Sequence, residues 1–171
     1  YIIFGAHAAS GALLKLSASL SLSQTVRILD CGNRANMYTV AKELRRLTND
    51  PAAAMNRISI SRAFTCYQVE ALLNSVRSFQ HAPILILDLL ATFFDESVCD
   101  GEIQRLYANS LNCLREISQS NLILIGAKGI PARAQKRAGM MVELRDIADD
   151  FIIQEAPLAS LCEIHEQLTL F

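Results

Sequence analysis

The strongest feature in the pattern of hydrophobic and polar residues is the run at 84–88, ILILD, where four apolar residues end in a single acid, Asp88. The run has neither the two-residue period of a half-exposed strand nor the 3.6-residue period of an amphipathic helix. A continuous apolar run of this length is typical of a strand that is buried on both faces. The pattern therefore predicts the central strand of a parallel sheet, with helices above and below it.

Shorter apolar runs predict six further strands, at residues 1–4, 26–29, 57–61, 121–125, 140–144 and 150–154. The run at 121–125, NLILI, is again continuous and indicates another strand buried on both faces. Only a short segment separates the last two runs. We therefore expect these two strands to form an antiparallel edge of the sheet.

Helices are predicted over 12–22, over 36–47, after a capping residue at Thr65 and after a second capping residue at Asp100. In these segments the apolar residues recur three or four positions apart, as in a helix that packs one face against a sheet. Capping is expected because short polar side chains accept hydrogen bonds from the free N–H groups of a first helical turn. The tail at 158–171 is amphipathic, and its pattern fits no single element.

Strands alternate with helices through the first 125 residues, which predicts an α/β fold. We expect a three-layer sandwich with a mainly parallel central sheet and helices on both faces. The length of 171 residues fits one domain, spanning 1–171. Because 51% of the residues are hydrophobic and only 19% are charged, the composition excludes a disordered chain. It indicates a well-filled core, or surfaces that a partner covers.

The net charge of −1 gives no global electrostatic reason to bind nucleic acid, so any such binding needs a local basic patch. The five cysteines are dispersed, without the spacing of a zinc site, and we interpret them as reduced thiols. No apolar run reaches the roughly 18 residues of a membrane-spanning helix. We therefore expect no contact with a membrane and a cytoplasmic protein, or a nuclear one in a eukaryote.

Residues 5–11, GAHAASG, form a loop of small residues between the first strand and the first helix, which is the frame of a phosphate-binding loop. Such a loop also needs a Lys for the terminal phosphates and a Ser or Thr hydroxyl for Mg²⁺. Here Ala12 and Leu13 stand at those positions. The vestige of a nucleotide site would be Gly5, Ser10, Gly11 and Asp88, and we assign no catalytic residue and no metal ligand.

The order of these segments resembles the ATPase core of the RecA/RadA recombinase family over roughly residues 3–156. The segment FGAHAASGALL falls at the family's Walker A loop, and ILILDLLATFF resembles its Walker B strand. The most specific local match is ISISRAFTCYQVEALL, which is similar to a family strand followed by an Arg-Ala-Phe turn and a Gln-bearing helix. It carries Arg62, Ala63, Phe64 and Gln68. The resemblance implies a RecA-like sandwich.

Several positions depart from the family pattern. Besides Ala12 and Leu13, Gly32 stands where the family has a catalytic Glu, and Ala127-Lys128 stands where it has a polar sensor. Activation of water needs a carboxylate within hydrogen-bond reach of the water molecule, and phosphoryl transfer needs cationic groups next to the terminal phosphate. The resemblance therefore implies the fold without the activity, which favours a protein that is not an enzyme.

The loop at 128–137, KGIPARAQKR, falls where the family carries its second DNA-contacting loop. Its cations, Lys128, Arg133, Lys136 and Arg137, would contact phosphates if the resemblance extends to function. A solvated surface loop is the other interpretation, and the absence of an aromatic residue weakens binding to single strands.

Two main hypotheses follow. The first is a non-catalytic RecA/RadA-like paralog without a cofactor, an accessory scaffold in DNA recombination and repair whose partner is another RecA-like subunit or a recombinase. The second is an ATPase of the same fold that uses ATP and Mg²⁺ through an atypical loop. A regulatory ATPase-like module is a third interpretation that no motif separates from the first.

Overall fold

The computed structural model describes residues 1–95 and 97–154. Its strands are β1 (Ile2–Phe4), β2 (Val26–Asp30), β3 (Ile58–Arg62), β4 (Ile84–Leu87), β5 (Ile123–Ala127) and β6 (Phe151–Ile153). They form one six-stranded sheet in the order β3-β2-β4-β5-β1-β6, and every pairing in it is parallel. The predicted α/β fold is confirmed, and β4 lies in the interior of the sheet as expected.

Helices and short 3₁₀ segments connect the strands. The helices are α1 (Ser10–Leu20), α2 (Met37–Leu47), α3 (Pro51–Met55), α4 (Cys66–Val76), α5 (Asp100–Ser118) and α6 (Gly139–Asp146). The 3₁₀ segments are Ala6–Ala9, Thr92–Phe94 and Ala132–Arg137. The predicted tail at 158–171 lies outside the described residues.

Two hydrophobic cores lie on opposite faces of the sheet, and β4 contributes to both. Ile84 and Ile86 belong to the core beneath α4, α5 and α6, whereas Leu85 and Leu87 belong to the core beneath α1, α2 and α3. Alternate residues of a strand point to opposite faces, so a strand covered on both sides is apolar at every position. The three-layer sandwich predicted from the ILIL run is therefore confirmed.

Side-chain caps start three of the helices. Asn36 accepts a hydrogen bond from the Tyr38 N–H, and Asp50 accepts one from the Ala53 N–H. The predicted cap at Thr65 is confirmed, because its hydroxyl accepts from the Gln68 N–H at 3.3 Å. The predicted cap at Asp100 is wrong. Asp100 is the first residue of α5, and its carboxylate binds cationic side chains instead.

The last part of the sheet differs from the prediction in two ways. Residues 140–144 belong to α6, in which Met140 and Leu144 are buried one turn apart while Val142 is exposed. This five-residue segment, with four apolar residues and Glu143, is too short for its period to distinguish a strand from a helix. The strand expected at 150–154 is present as β6, but it pairs with β1 in parallel, so the antiparallel edge is wrong. A helix between β5 and β6 allows this parallel crossover.

Gly126 in β5 lies directly beneath the loop that follows β1. A Cβ atom added there would overlap the backbone carbonyl oxygen of Ala8 and would crowd the side chain of Leu13. The close approach of the loop to the sheet therefore requires glycine at this position.

We expect Gly126→Ala to lower the free energy of unfolding by about 1–3 kcal/mol, because the backbone at Ala8 must move to admit the methyl group. Gly101→Ala in α5 is the matched control, since a Cβ atom there meets nothing within 4 Å. Its stability should stay level or rise by up to about 1 kcal/mol. Urea denaturation measures both, and equal effects in the two variants would contradict the close approach.

Candidate functional site

Two buried carboxylates meet at the carboxyl edge of the sheet. Asp30 ends β2, and Asp88 follows β4, the neighbouring strand, so the register of the two strands brings these acids together. Asp30 is 0% exposed and Asp88 is 2% exposed. In open α/β sheets, ligands bind at this edge, and burying two acids there requires partners that compensate for lost hydration.

Asp30 is held by three donors, two from the turn after β2 and one from the end of β3. Its carboxylate accepts the backbone N–H groups of Arg34 at 2.7 Å and Ala35 at 3.1 Å, which fixes the turn after β2. It also accepts Nε of Arg62 at 2.9 Å, and Arg62 pairs with Asp30 in the β2–β3 register. Hydrogen bonds to an ionised carboxylate are among the stronger ones in proteins. Asp30 therefore fastens the turn and the edge strand β3 to the centre of the sheet.

Asp88 forms two ion pairs through one oxygen. Lys128 Nζ lies 2.6 Å and Arg34 Nε lies 3.2 Å from Asp88 Oδ2. The backbone of Asp88 has a left-handed φ of 56°, which aspartate tolerates better than most residues. Gly32 packs against this side chain so closely that an added Cβ atom would lie 2.5 Å from the Asp88 Cβ. The acid is therefore enclosed by Gly32, Arg34 and Lys128.

The site carries more positive than negative charge. Two carboxylates, those of Asp30 and Asp88, face three cations, whose side chains are 29% to 38% exposed. Within residues 1–95 and 97–154, no group of three or more His, Cys, Asp and Glu side chains is arranged to hold a metal ion. A Mg²⁺ ion binds through carboxylates that are open to it, and here two cationic side chains occupy that position at Asp88. These residues do not fit Mg²⁺.

The loop of small residues after β1 has an unusual backbone. His7, Ala8 and Ala9 all adopt left-handed φ values, between 51° and 57°, and α1 begins at Ser10. Left-handed conformations cost L-residues roughly 1–2 kcal/mol each, so the surrounding packing must maintain the turn. Leu13, where a phosphate loop has its hydroxyl, is fully buried in the core. No hydroxyl or ammonium is available at that position.

The predicted nucleotide residues are only partly brought together. Ser10 and Gly11 border a cleft of about 370 Å³ that Arg34 and Asn36 also line. Asp88 reaches this cleft only through its ion pair with Arg34. Gly5 instead adjoins Gln154, and its N–H donates to the carbonyl of Ala127. Small residues and several larger ones, including His7 and Gln154, line this cleft, and its one arginine already has an acidic partner.

Most of the basic residues in the loop at 128–137 form ion pairs with acidic residues of other elements. Lys128 pairs with Asp88, and Lys136 Nζ lies 3.1 Å from Asp100 Oδ2. Hydrogen bonds from Arg137 and Lys136 hold the pKa of Asp100 below its usual value. Among the residues described, Arg133 makes no ion pair, and it lines a second cleft of about 480 Å³.

Arg137 differs most from its expected role as a DNA contact. Its side chain is 4% exposed, and its guanidinium donates to the carbonyl oxygens of Phe93, Asp95 and Val98 and to the carboxylate of Asp100. Every nitrogen that could reach a phosphate is already used within the fold. These contacts argue against the predicted phosphate contact of Arg137, and local sequence patterns could not indicate them because its acidic and carbonyl partners lie far away in the sequence.

Cys31 lies beside both acids, and its thiol is unreactive at neutral pH. Burial, followed by the negative charges of Asp30 and Asp88, raises the pKa of its thiol to about 12. The thiolate is the reactive form of cysteine, so this side chain is a poor nucleophile at neutral pH.

Sequence reasoning missed Arg34 and Arg62 as members of the site. Each stands within five residues of a strand end on the edge where Asp30 lies. An arginine at the end of one strand can indicate an ion pair with an acid at the end of the neighbouring strand. This inference requires knowing which strands are neighbours, and local sequence patterns do not give the strand order.

The chain matches no protein-family model, and it matches no curated protein. No helix in the described part of the chain combines the length and the apolar character needed to cross a bilayer. Any inference about function therefore rests on the site and on the sequence motifs.

We expect Lys128→Met to lower the free energy of unfolding by about 1–3 kcal/mol, because buried Asp88 loses its closest cation. The matched control is Lys136→Met, whose ion pair with Asp100 is exposed, so its loss should lower the stability less than the loss of Lys128 does. Chemical denaturation at pH 7 compares the two variants. Losses of equal size would contradict the proposed importance of the Asp88 pair.

We also expect iodoacetamide at pH 8 to modify exposed Cys99 quickly and to leave Cys31 unmodified in the folded protein, because the raised pKa keeps the Cys31 thiol protonated. Peptide mass spectrometry after timed quenching measures each site. Cys99→Ser is the control and should remove the fast phase. Equal rates at Cys31 and Cys99 would contradict this description of the site.

Proposed function

We propose that this domain is a non-catalytic RecA/RadA-like paralog that acts as an accessory, partner-binding scaffold in DNA recombination and repair. The observation that carries the proposal is the pairing of Asp88 with Lys128 and Arg34. In the family that the sequence resembles, an acid at this position helps to hold Mg²⁺ on the nucleotide. Here the chain's own cations neutralise it.

The geometry around Gly32 supports the same conclusion. The resemblance expects a catalytic Glu at this position, but an added Cβ atom would lie 2.5 Å from the Cβ of Asp88 and 2.8 Å from its Oδ2. No side chain fits there without displacing Asp88 from its ion pairs. Position 32 therefore offers neither a carboxylate nor room for one, so it supplies no group that could activate water.

The first turn of α1 offers nothing that replaces the missing phosphate contacts. Ala12 has a methyl group where a Lys would reach the phosphates, and Leu13 packs into the core. Lys15 is exposed, one turn further along the helix. Phosphoryl transfer depends on positive charge at the transferring group, and this loop supplies none.

The ion pairs of the loop at 128–137 favour a protein-binding role over a DNA-binding role. Three of the loop's four cations already have acidic partners, so within residues 1–95 and 97–154 Arg133 is the cation of this loop that makes no ion pair. One phosphate contact changes the slope of the logarithm of the binding constant against the logarithm of the salt concentration by only about one. We therefore propose that protein contacts, and not this loop, attach the domain to its partner.

Titration with a fluorescent ATP analogue in the presence of Mg²⁺ tests the loss of nucleotide binding. We expect no saturation up to millimolar nucleotide, because the site has neither the phosphate contacts nor a free metal ligand. Saturable binding, together with ATP hydrolysis that Asp88→Ala abolishes, would contradict the proposal and favour the ATPase of the same fold. A catalytically competent RecA-family recombinase serves as the positive control.

Co-sedimentation with RecA-family recombinase filaments on single-stranded DNA tests the scaffold role. We expect the domain to sediment with the filaments and to stay in solution with DNA alone. Failure to sediment with the filaments would contradict the partner assignment.

A further inference from the structure

A cavity of about 110 Å³ opens at the amino-terminal edge of the sheet. Its walls come from β1 and β5 and from the last turns of α5 and α6. All six strands are parallel, so their first residues share this edge, whereas Asp30 and Asp88 lie at the opposite edge. The cavity therefore shares no residue with the site described above or with the two clefts near it.

The floor of this cavity is apolar. Leu114, Ile125 and Leu144 line it, and each is at most 5% exposed. Asn121, a buried polar residue of the wall, already uses its amide for three hydrogen bonds to the backbone. An apolar cavity of about 150 Å³ holds a benzene molecule. The smaller volume found here therefore fits a branched aliphatic group better than an aromatic ring.

Two opposite charges border the same cavity. Arg115 of α5 and Asp149, in the turn before β6, are both exposed and both line it. Among residues 1–95 and 97–154, neither forms an ion pair, so the two charges do not contact each other. Arg115 donates one hydrogen bond, from Nη1 to Asn112 Oδ1 at 3.0 Å, and its guanidinium has further N–H groups for a ligand. Such an arrangement is complementary to a ligand that carries one charge of each sign.

We propose that this cavity binds a free α-amino acid with a branched aliphatic side chain, namely leucine, isoleucine or valine. The side chain enters the apolar floor, the carboxylate binds Arg115 through charge-assisted hydrogen bonds, and the ammonium group faces Asp149. A fatty acid or an aliphatic amine offers only one of the two charges, and an apolar side chain of a protein partner offers neither. The site goes beyond the proposed function, since it requires neither a nucleotide nor a recombinase.

Isothermal titration calorimetry of the whole chain with a series of ligands tests the proposal. We expect L-leucine to bind saturably, with a Kd of about 1 mM or lower. Isocaproate, which lacks the ammonium group, and isopentylamine, which lacks the carboxylate, should each bind at least about tenfold more weakly. Glycine, which lacks the side chain, should not saturate the site. The proposal would be overturned by the absence of saturation with leucine, isoleucine and valine, or by equal affinity for leucine and its two single-charge analogues.

Variants that remove one charge assign the two polar contacts. Arg115→Gln should raise the Kd for L-leucine at least about tenfold and leave that for isopentylamine, which has no carboxylate, unchanged. Asp149→Asn should raise the Kd for L-leucine and leave that for isocaproate unchanged. The matched controls are Arg105→Gln and Asp146→Asn, which remove exposed charges outside the cavity and should not change the Kd for L-leucine. Wild-type affinity for L-leucine in both Arg115→Gln and Asp149→Asn would overturn the proposal.

A variant that fills the cavity locates the ligand. Ala148 lines the cavity and is half-buried, so a larger side chain there takes up the space that the ligand requires. We expect Ala148→Leu to abolish binding of L-leucine while circular dichroism shows a folded domain. Ala132→Leu, at an exposed position outside the cavity, is the control and should bind as the wild type does. Wild-type binding by a folded Ala148→Leu variant would overturn the proposal, and the charge variants decide the question if that variant does not fold.

Discussion

The fold depends on burying two carboxylates next to each other at the ends of neighbouring strands. Asp30 and Asp88 lose almost all contact with water, and each would destabilise the native state severely without partners. The turn after β2 supplies Arg34, the end of β3 supplies Arg62 and the segment after β5 supplies Lys128. One electrostatic requirement thus connects three segments that are distant in the sequence.

The same requirement governs what the edge of the sheet can do. An ammonium and a guanidinium compensate the buried carboxylate for its lost hydration, but they leave it no open ligand position for a metal ion. Gly32 brings the turn so close to Asp88 that the two residues pack as one unit. The edge of the sheet where open α/β folds bind ligands is occupied here by the contacts between these charged residues.

How well the sequence predicts each part of this structure depends on how far apart the interacting residues lie along the chain. Burial on both faces leaves an unbroken apolar run, so the strand at 84–87 and its place in the sheet were predictable from local pattern. The helix at 139–146 was not, because its apolar run spans little more than one turn. The basic character of 128–137 was overestimated, since the acids that neutralise Lys128 and Arg137 are Asp88 and Asp100, on other elements. Local periodicity carries no information about such pairs.

The strand order has a consequence for how the chain folds. β1 is inserted between β5 and β6, so that Ile2 pairs with Ile125 on one side and with Phe151 on the other. Strand β1 therefore has no neighbour in the described sheet until β5 has been synthesised. Forming such distant pairs requires closure of a very long loop, which slows folding relative to a topology with local contacts. During that interval the remaining strands, β2 to β5, must hold the sheet together without β1.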